Sequence, residues 1–406
     1  MTSLPLLERK PDTNVGSAVG GIGCEADSIA TVPLSEERSF AYWQQDIPAA
    51  YWDLRADEIV DRIAAARAML GTRLIVLGHH YQREDIIQFA DLRGDSFKLA
   101  QFAAEHPESD YIVFCGVHFM AEAADILSAP HQKVVLPNMA AGCSMADMAD
   151  PDDVYSAWAE MEELGIAQDT LPITYMNSAA SLKAFVGEKG GAVCTSSNAK
   201  KVLEWAFAQK KRVLFFPDQH LGRNTGHAMG IRLDEMVLWG WARPYGSMGG
   251  QTLEALEQSR VILWAGHCSV HQRFTPQQID DARARFPDVN VIVHPECRWE
   301  TVQAADLNGS TEFIAKTITE APAGSTFAVG TEINLVSRLA KENPDKTVFC
   351  LDPVVCPCST MYRVHPAYLA WTIESLAEGR VVNQVVVPDD VAAGAKVALD
   401  RMLAIR

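Results

Sequence analysis

The chain has 406 residues, 48% of them hydrophobic, with 35 basic against 52 acidic side chains and a formal net charge of −17. One hydrophobic core rarely organises that length, so two or three domains are expected. The acidic balance argues against a nucleic-acid groove, which is held mainly by Lys and Arg, and no apolar run approaches the roughly 18 residues of a membrane span.

The opening MTSLPLLERKPDTN lacks a basic start followed by an apolar stretch, so no secretory signal is read and a cytoplasmic protein is expected. Residues 1–55 read as an irregular N-terminal extension containing the Gly-rich GSAVGGIG, with an amphipathic helix near Leu54–Leu70. After Gly71 short apolar runs recur, each followed by a turn and a helical pattern: RLIVLG, YIVFC, KVVLP, PITYM, AVCTS, RVLFFP, RVILWAG, VNVIVHP, STFAVG and KTVFCLD. Runs of four to six apolar residues alternating with helices indicate buried parallel strands in βαβ units.

The runs fall into three groups of about three strands. First-strand ends at His79, Tyr175 and Gly266 recur at about 90 to 96 residues, a candidate threefold repeat. The expected fold is α/β: αβα domains over 56–140, 141–250 and 251–345, then a C-terminal segment, 346–406, packing back on the first. Ligands of parallel sheets bind beyond the carboxyl ends of the strands, so three sheets aimed at one centre would enclose a shared site.

Polar residues collect at those ends. The first group offers HHYQ (79–82), GDS (94–96) and CGVHFMAE (115–122); the second TYMNS (174–178), CTSSN (194–198) and PDQHLG (217–222). The third offers WAGHCSVH (264–271), HPEC (294–297) and GST (309–311), and CPCSTM (356–361) closes the series. Taken singly each is weak. A strand-end His is more often structural than catalytic, and Ser196, Ser310 and Thr311 are ordinary helix caps. Helix N-termini also bind anions, so both readings hold at once for those three. Nine cysteines, an odd number in a long chain, suggest no disulfide framework, and most are expected to be small core residues.

In that order and at those separations the motifs resemble the quinolinate synthase family, from about Gly71 to Met361. The resemblance implies three similar three-layer αβα domains with parallel sheets, a pseudo-threefold triangle around a central active site. It implies condensation of iminoaspartate with dihydroxyacetone phosphate to quinolinate, releasing phosphate and water. It also implies one 4Fe-4S cluster per chain, with three Cys ligands and one open iron acting as a Lewis acid. By position the ligands are Cys115, Cys268 and Cys358. Either sulfur of Cys356-Pro357-Cys358 could be the third, and the family's Cys followed three places later by Met, here Met361, favours Cys358. Cys356 is then a redox partner or inert, and Cys194 and Cys297 pack beside the site.

The resemblance makes Tyr81 the catalytic tyrosine and Glu296 the acid/base. It assigns His79, Ser96, Tyr175, Asn177, Ser196, His271, His294, Ser310 and Thr311 to substrate binding, with His118 less tied to it. L-aspartate oxidase is a candidate transient partner, as the source of iminoaspartate. A cluster-dependent hydro-lyase would use the same open iron but need a different motif order. A non-enzymatic iron–sulfur carrier would leave HHYQ, TYMNS and HPE without a role.

Overall fold

The computed structural model describes residues 44, 46–354 and 357–405. Most of the N-terminal extension, and Cys356, lie outside the described residues. Helix Ala56–Leu70 buries Ile59, Ile63, Ala66 and Leu70, a stripe at helical spacing. It starts two residues later than expected because Arg55 is extended, its N–H donating to the Glu58 carboxylate at 2.9 Å.

Four strands follow: β1 (Leu74–His79), β2 (Leu92–Gly94), β3 (Tyr111–Cys115) and β4 (Lys133–Val135). They pair in parallel in the order β4-β3-β1-β2. A second parallel sheet holds β5 (Thr170–Tyr175), β6 (Ala192–Cys194), β7 (Arg212–Phe216), β8 (Met236–Trp239) and β9 (Val261–Trp264), ordered β6-β5-β7-β9-β8. The third holds β10 (Asn290–Val293), β11 (Leu307–Asn308), β12 (Thr326–Gly330) and β13 (Thr347–Cys350), ordered β11-β10-β12-β13. Last in the chain, β14 (Gln384–Val385) pairs antiparallel with β4 and so joins the first sheet.

All ten apolar runs are strands of an α/β fold. Their grouping differs from the expectation. RVILWAG was expected to open the third group, yet β9 pairs with β7 and β8, so the second sheet extends to Trp264. A boundary at 250 therefore cuts the second sheet, and one at 345 separates β12 from its neighbour β13. Spacing between strand ends ignores which strands pair. The four strands without a matching run are short, and β8 at its sheet edge is half-buried over Met236–Leu238.

The third sheet is covered on both faces. Val291, Val293 and Ala328 join Phe274, Ile279 and Cys297, while Ile292, Phe327 and Val329 join Ile314, Ile318 and Leu335. The first and second sheets share one continuous apolar core.

The C-terminal segment clamps both. Helix Pro366–Ala377 packs along Ala56–Leu70, with Arg62 paired to Glu374 at 2.7 Å, and helix Asp389–Ala404 packs on Ala180–Glu188. The last pair meets at two glycines: a Cβ on Gly187 would lie 2.3 Å from the Gly394 carbonyl oxygen. Gly187→Ala is expected to destabilise by about 1–3 kcal/mol through forced separation of the helices. An unchanged denaturant midpoint would show that this contact yields freely.

Candidate active site

The carboxyl ends of strands from all three sheets open on one cavity of about 80 Å³. His79 ends β1 and Tyr81 follows it, Tyr175 and Asn177 come from the end of β5, Cys268 and His271 follow β9, and His294 and Glu296 follow β10. Ser96, Ser196 and Thr311, at the ends of β2, β6 and β11, also line it. Ser310 is not among the lining residues. Its hydroxyl accepts the Phe313 N–H at 3.3 Å as the cap of helix Thr311–Glu320. His118 faces an outer depression, 3.7 Å from Glu122.

Two strand-end histidines are held alike. His79 Nδ1 accepts the Tyr81 N–H at 3.1 Å and His294 Nδ1 accepts the Glu296 N–H at 3.3 Å. With Nδ1 fixed as acceptor, the neutral ring carries its proton on Nε2 and can donate. Burial drives the His79 pKa well below the ordinary value, and burial with the charge on His271 brings His294 down to about 3.

Glu296, 3% exposed, is the buried charge of the site. Burial pushes its carboxyl up, but His271 and His294 outweigh that and hold it below the usual carboxylate range. His271 Nδ1 lies 2.8 Å from Glu296 Oε2, and its ring stacks on His294 with centroids 4.4 Å apart. On the other edge, His271 Nε2 meets Thr331 Oγ1 at 3.1 Å and the Tyr81 hydroxyl at 3.3 Å. Both His271 nitrogens are thus engaged by protein groups, which differs from the expectation of a simple substrate donor. Tyr81 completes the triangle with Thr331 at 2.9 Å. Burial, then Glu296, raises the pKa of both Tyr81 and Tyr175, so both phenols stay neutral, and Tyr175 bonds to Glu296 and Ser196.

The cysteine expectation needs one correction. Cys115, last residue of β3, is fully buried in the sheet core and does not line the cavity. Burial pushes its thiol up to about 12, and Arg67 on helix Ala56–Leu70 is the charge acting on it. Cys143, in the Gly142-Cys143-Ser144 turn after β4, lines the cavity with Cys268 and Cys358. Burial raises all three thiols, and Cys143 and Cys268 are each raised further by Cys358. The signal was legible: Cys143 follows a strand in a glycine turn, whereas Cys115 belongs to an apolar run. Cys194 and Cys297 are fully buried in the core clusters. Thr331, after the STFAVG strand, was missed because a lone Thr carries no pattern.

A site of buried acid–base groups and thiols at converging strand ends defines an α/β enzyme. Residues 61–404 match the family model described as Quinolinate synthetase A protein. Quinolinate synthase of Corynebacterium glutamicum is 59% identical over 362 residues, covering 89% of this chain and 91% of that protein. The quinolinate synthase of Acidobacterium capsulatum is 55% identical (88% and 95% covered), and that of a Geobacillus species 53% (89% and 97%). The chain belongs to the quinolinate synthase family.

The neutral histidines give a pH test. His294 has a folded pKa of about 3 against the ordinary 6.5, so the folded state binds fewer protons than the unfolded chain between those values. Stability from this group is therefore present above 6.5 and lost as pH falls toward 3, at up to about 1.4 kcal/mol per pH unit. His294→Gln is expected to flatten the dependence in that window. Denaturant titrations at stepped pH check it, and parallel curves for both proteins would show that His294 titrates normally.

Proposed function

We propose that this cavity is where the chain forms quinolinate, condensing iminoaspartate with dihydroxyacetone phosphate and releasing phosphate and water. The observation that carries this reading is the Glu296–His271–Tyr81 network facing three thiols in a cavity with no lysine or arginine among its described lining residues. Tyr81, a neutral phenol with its hydroxyl in the network, delivers and recovers a proton. Glu296 is the base for the later proton transfers, with His271 to receive charge. His79 and His294 present Nε2–H groups to substrate carboxylates. Tyr175 and Asn177 orient the substrate. Ser96, Ser310 and Thr311 stand at helix starts, where backbone N–H groups attract carboxylate and phosphate, and Ser196 adds a hydroxyl from the turn after β6.

The thiols fit an iron–sulfur group. Three cysteines from three separate turns line the same cavity, and burial keeps their thiols protonated until a cationic centre takes them as thiolates. Cys143, Cys268 and Cys358 would hold one 4Fe-4S cluster. Such a cluster with three protein ligands supplies an open iron as a Lewis acid. The strand ends meeting at one cavity support three αβα units in a pseudo-threefold triangle. Among the described residues no helix is long and apolar enough to cross a membrane, and we assign the enzyme to the cytoplasm. There L-aspartate oxidase would supply iminoaspartate by transient contact.

Iron and sulfide per chain, measured on anaerobically purified variants, test the ligand set. Cys143→Ala, Cys268→Ala and Cys358→Ala are each expected to empty the site, while Cys115→Ala retains it. Iron lost from Cys115→Ala alone would reverse the assignment. For the chemistry, Tyr81→Phe and Glu296→Gln should keep iron and lose roughly 10²–10⁴-fold in quinolinate formation. Turnover at the parent rate in either variant removes that residue from proton transfer.

A further inference from the structure

We infer that Glu332 is a positioning residue for the Cys358 loop: its carboxyl holds the Cys358 backbone in the place from which the thiol meets the cavity. This rests on the reading of Cys358 as a cluster ligand.

The residue type is the first sign. Glu332 is the N-cap of helix Ile333–Glu342, a position that favours Ser, Thr, Asp and Asn, whose short side chains turn back onto the first free N–H groups. Asp95, Asp150, Asp218 and Ser310 cap other helices of the chain in that way. A glutamate carries one methylene more than a cap needs, and here the extra length has a partner. Oε2 accepts the Asn334 N–H at 2.7 Å and serves the helix. Oε1 accepts the Cys358 N–H at 3.2 Å, and the Asn334 side-chain amide braces the same oxygen at 2.8 Å.

Cys358 needs such a hold. Between β13 and the turn Met361–Arg363, residues 351–354 and 357–360 belong to no helix or strand, so no ladder of backbone bonds fixes them. The Cys358 backbone is pinned from both sides instead: its N–H donates to Glu332, and its carbonyl oxygen accepts the Tyr362 N–H at 2.9 Å. Glu332 is fully buried, so water does not compete for the bond. A loop already held in place spares the cost of ordering it when the site is filled. Partners that orient metal ligands are typically worth roughly 10–100-fold in holding the metal.

The test follows iron release to ferrozine from cluster-loaded enzyme purified without oxygen. Two variants separate the cap from the hold. Glu332→Asp keeps a favoured cap but draws the carboxyl back by about 1.5 Å, which puts the Cys358 N–H out of hydrogen-bond range. Glu332→Gln keeps the length and the Oε1 acceptor but sets an N–H₂ group against the Asn334 N–H. Positioning predicts that Glu332→Asp releases iron roughly 10–100-fold faster than the parent, while Glu332→Gln stays within about threefold. A residue that only caps its helix gives the reverse order and overturns the inference. An Asp variant within about twofold of the parent overturns it too, as do Asp and Gln variants that shed iron equally fast. If Glu332→Asp does not load iron, Glu332→Gln is compared with Glu332→Ala: slower release from Gln supports the hold, and equal behaviour overturns it. The reading beneath is checked separately. Cys358→Ala that keeps its iron sinks the ligand assignment and the inference with it, whereas an empty Cys358→Ala beside a parent-like Glu332→Asp sinks the inference alone.

Discussion

One ionised carboxylate, 3% exposed, constrains the whole centre of the molecule. An unpaired charge at that depth would cost many kcal/mol or protonate. Glu296 stays ionised because His271 reaches it from the end of β9, Tyr175 from the end of β5, and the adjacent His294 ring from its own strand end. Its partners therefore belong to the second and third sheets, and Tyr81 brings the first to His271. The site is not an addition to a finished scaffold. The same hydrogen bonds that tune the groups also join elements far apart in sequence, as Tyr81 to His271 does across 190 residues.

That economy of charge extends outward. Substrates with carboxylates and a phosphate invite lysine and arginine, yet the described cavity lining has neither. A fixed cation there would compete with His271 for Glu296. Neutral Nε2–H donors and helix starts bind anions without doing so. The nearby buried cation, Lys183, is turned away from the cavity: its ammonium donates to the Ser178 carbonyl oxygen and is offset by Glu122, which accepts the Ala180 N–H at 3.0 Å. Burial lowers the Lys183 pKa and the Glu122 charge opposes that, so the pair joins two helices and leaves the site's balance alone.

Ten strands and most of the lining were legible because both rest on local rules. Apolar runs bounded by turns are strands, and polar residues after them are at the carboxyl ends. Sheet membership was not legible, since β9 looks alike whether it opens a sheet or lies fourth in one. Thr331 was invisible for a related reason: the two side chains its hydroxyl meets, His271 and Tyr81, lie 60 and 250 residues away.

The two first-sheet cysteines show where a local rule was available and family pattern displaced it. In YIVFC the apolar run continues through the cysteine, and a strand covered on both faces has no outlet for a side chain at that register. Cys115 is accordingly sealed in the core. In AAGCS the chain has left its strand, and the backbone at Cys143 enters a short helix facing the cavity. Whether a thiol can meet a ligand is decided by whether its residue still belongs to the sheet, and that boundary was written in the glycine before it.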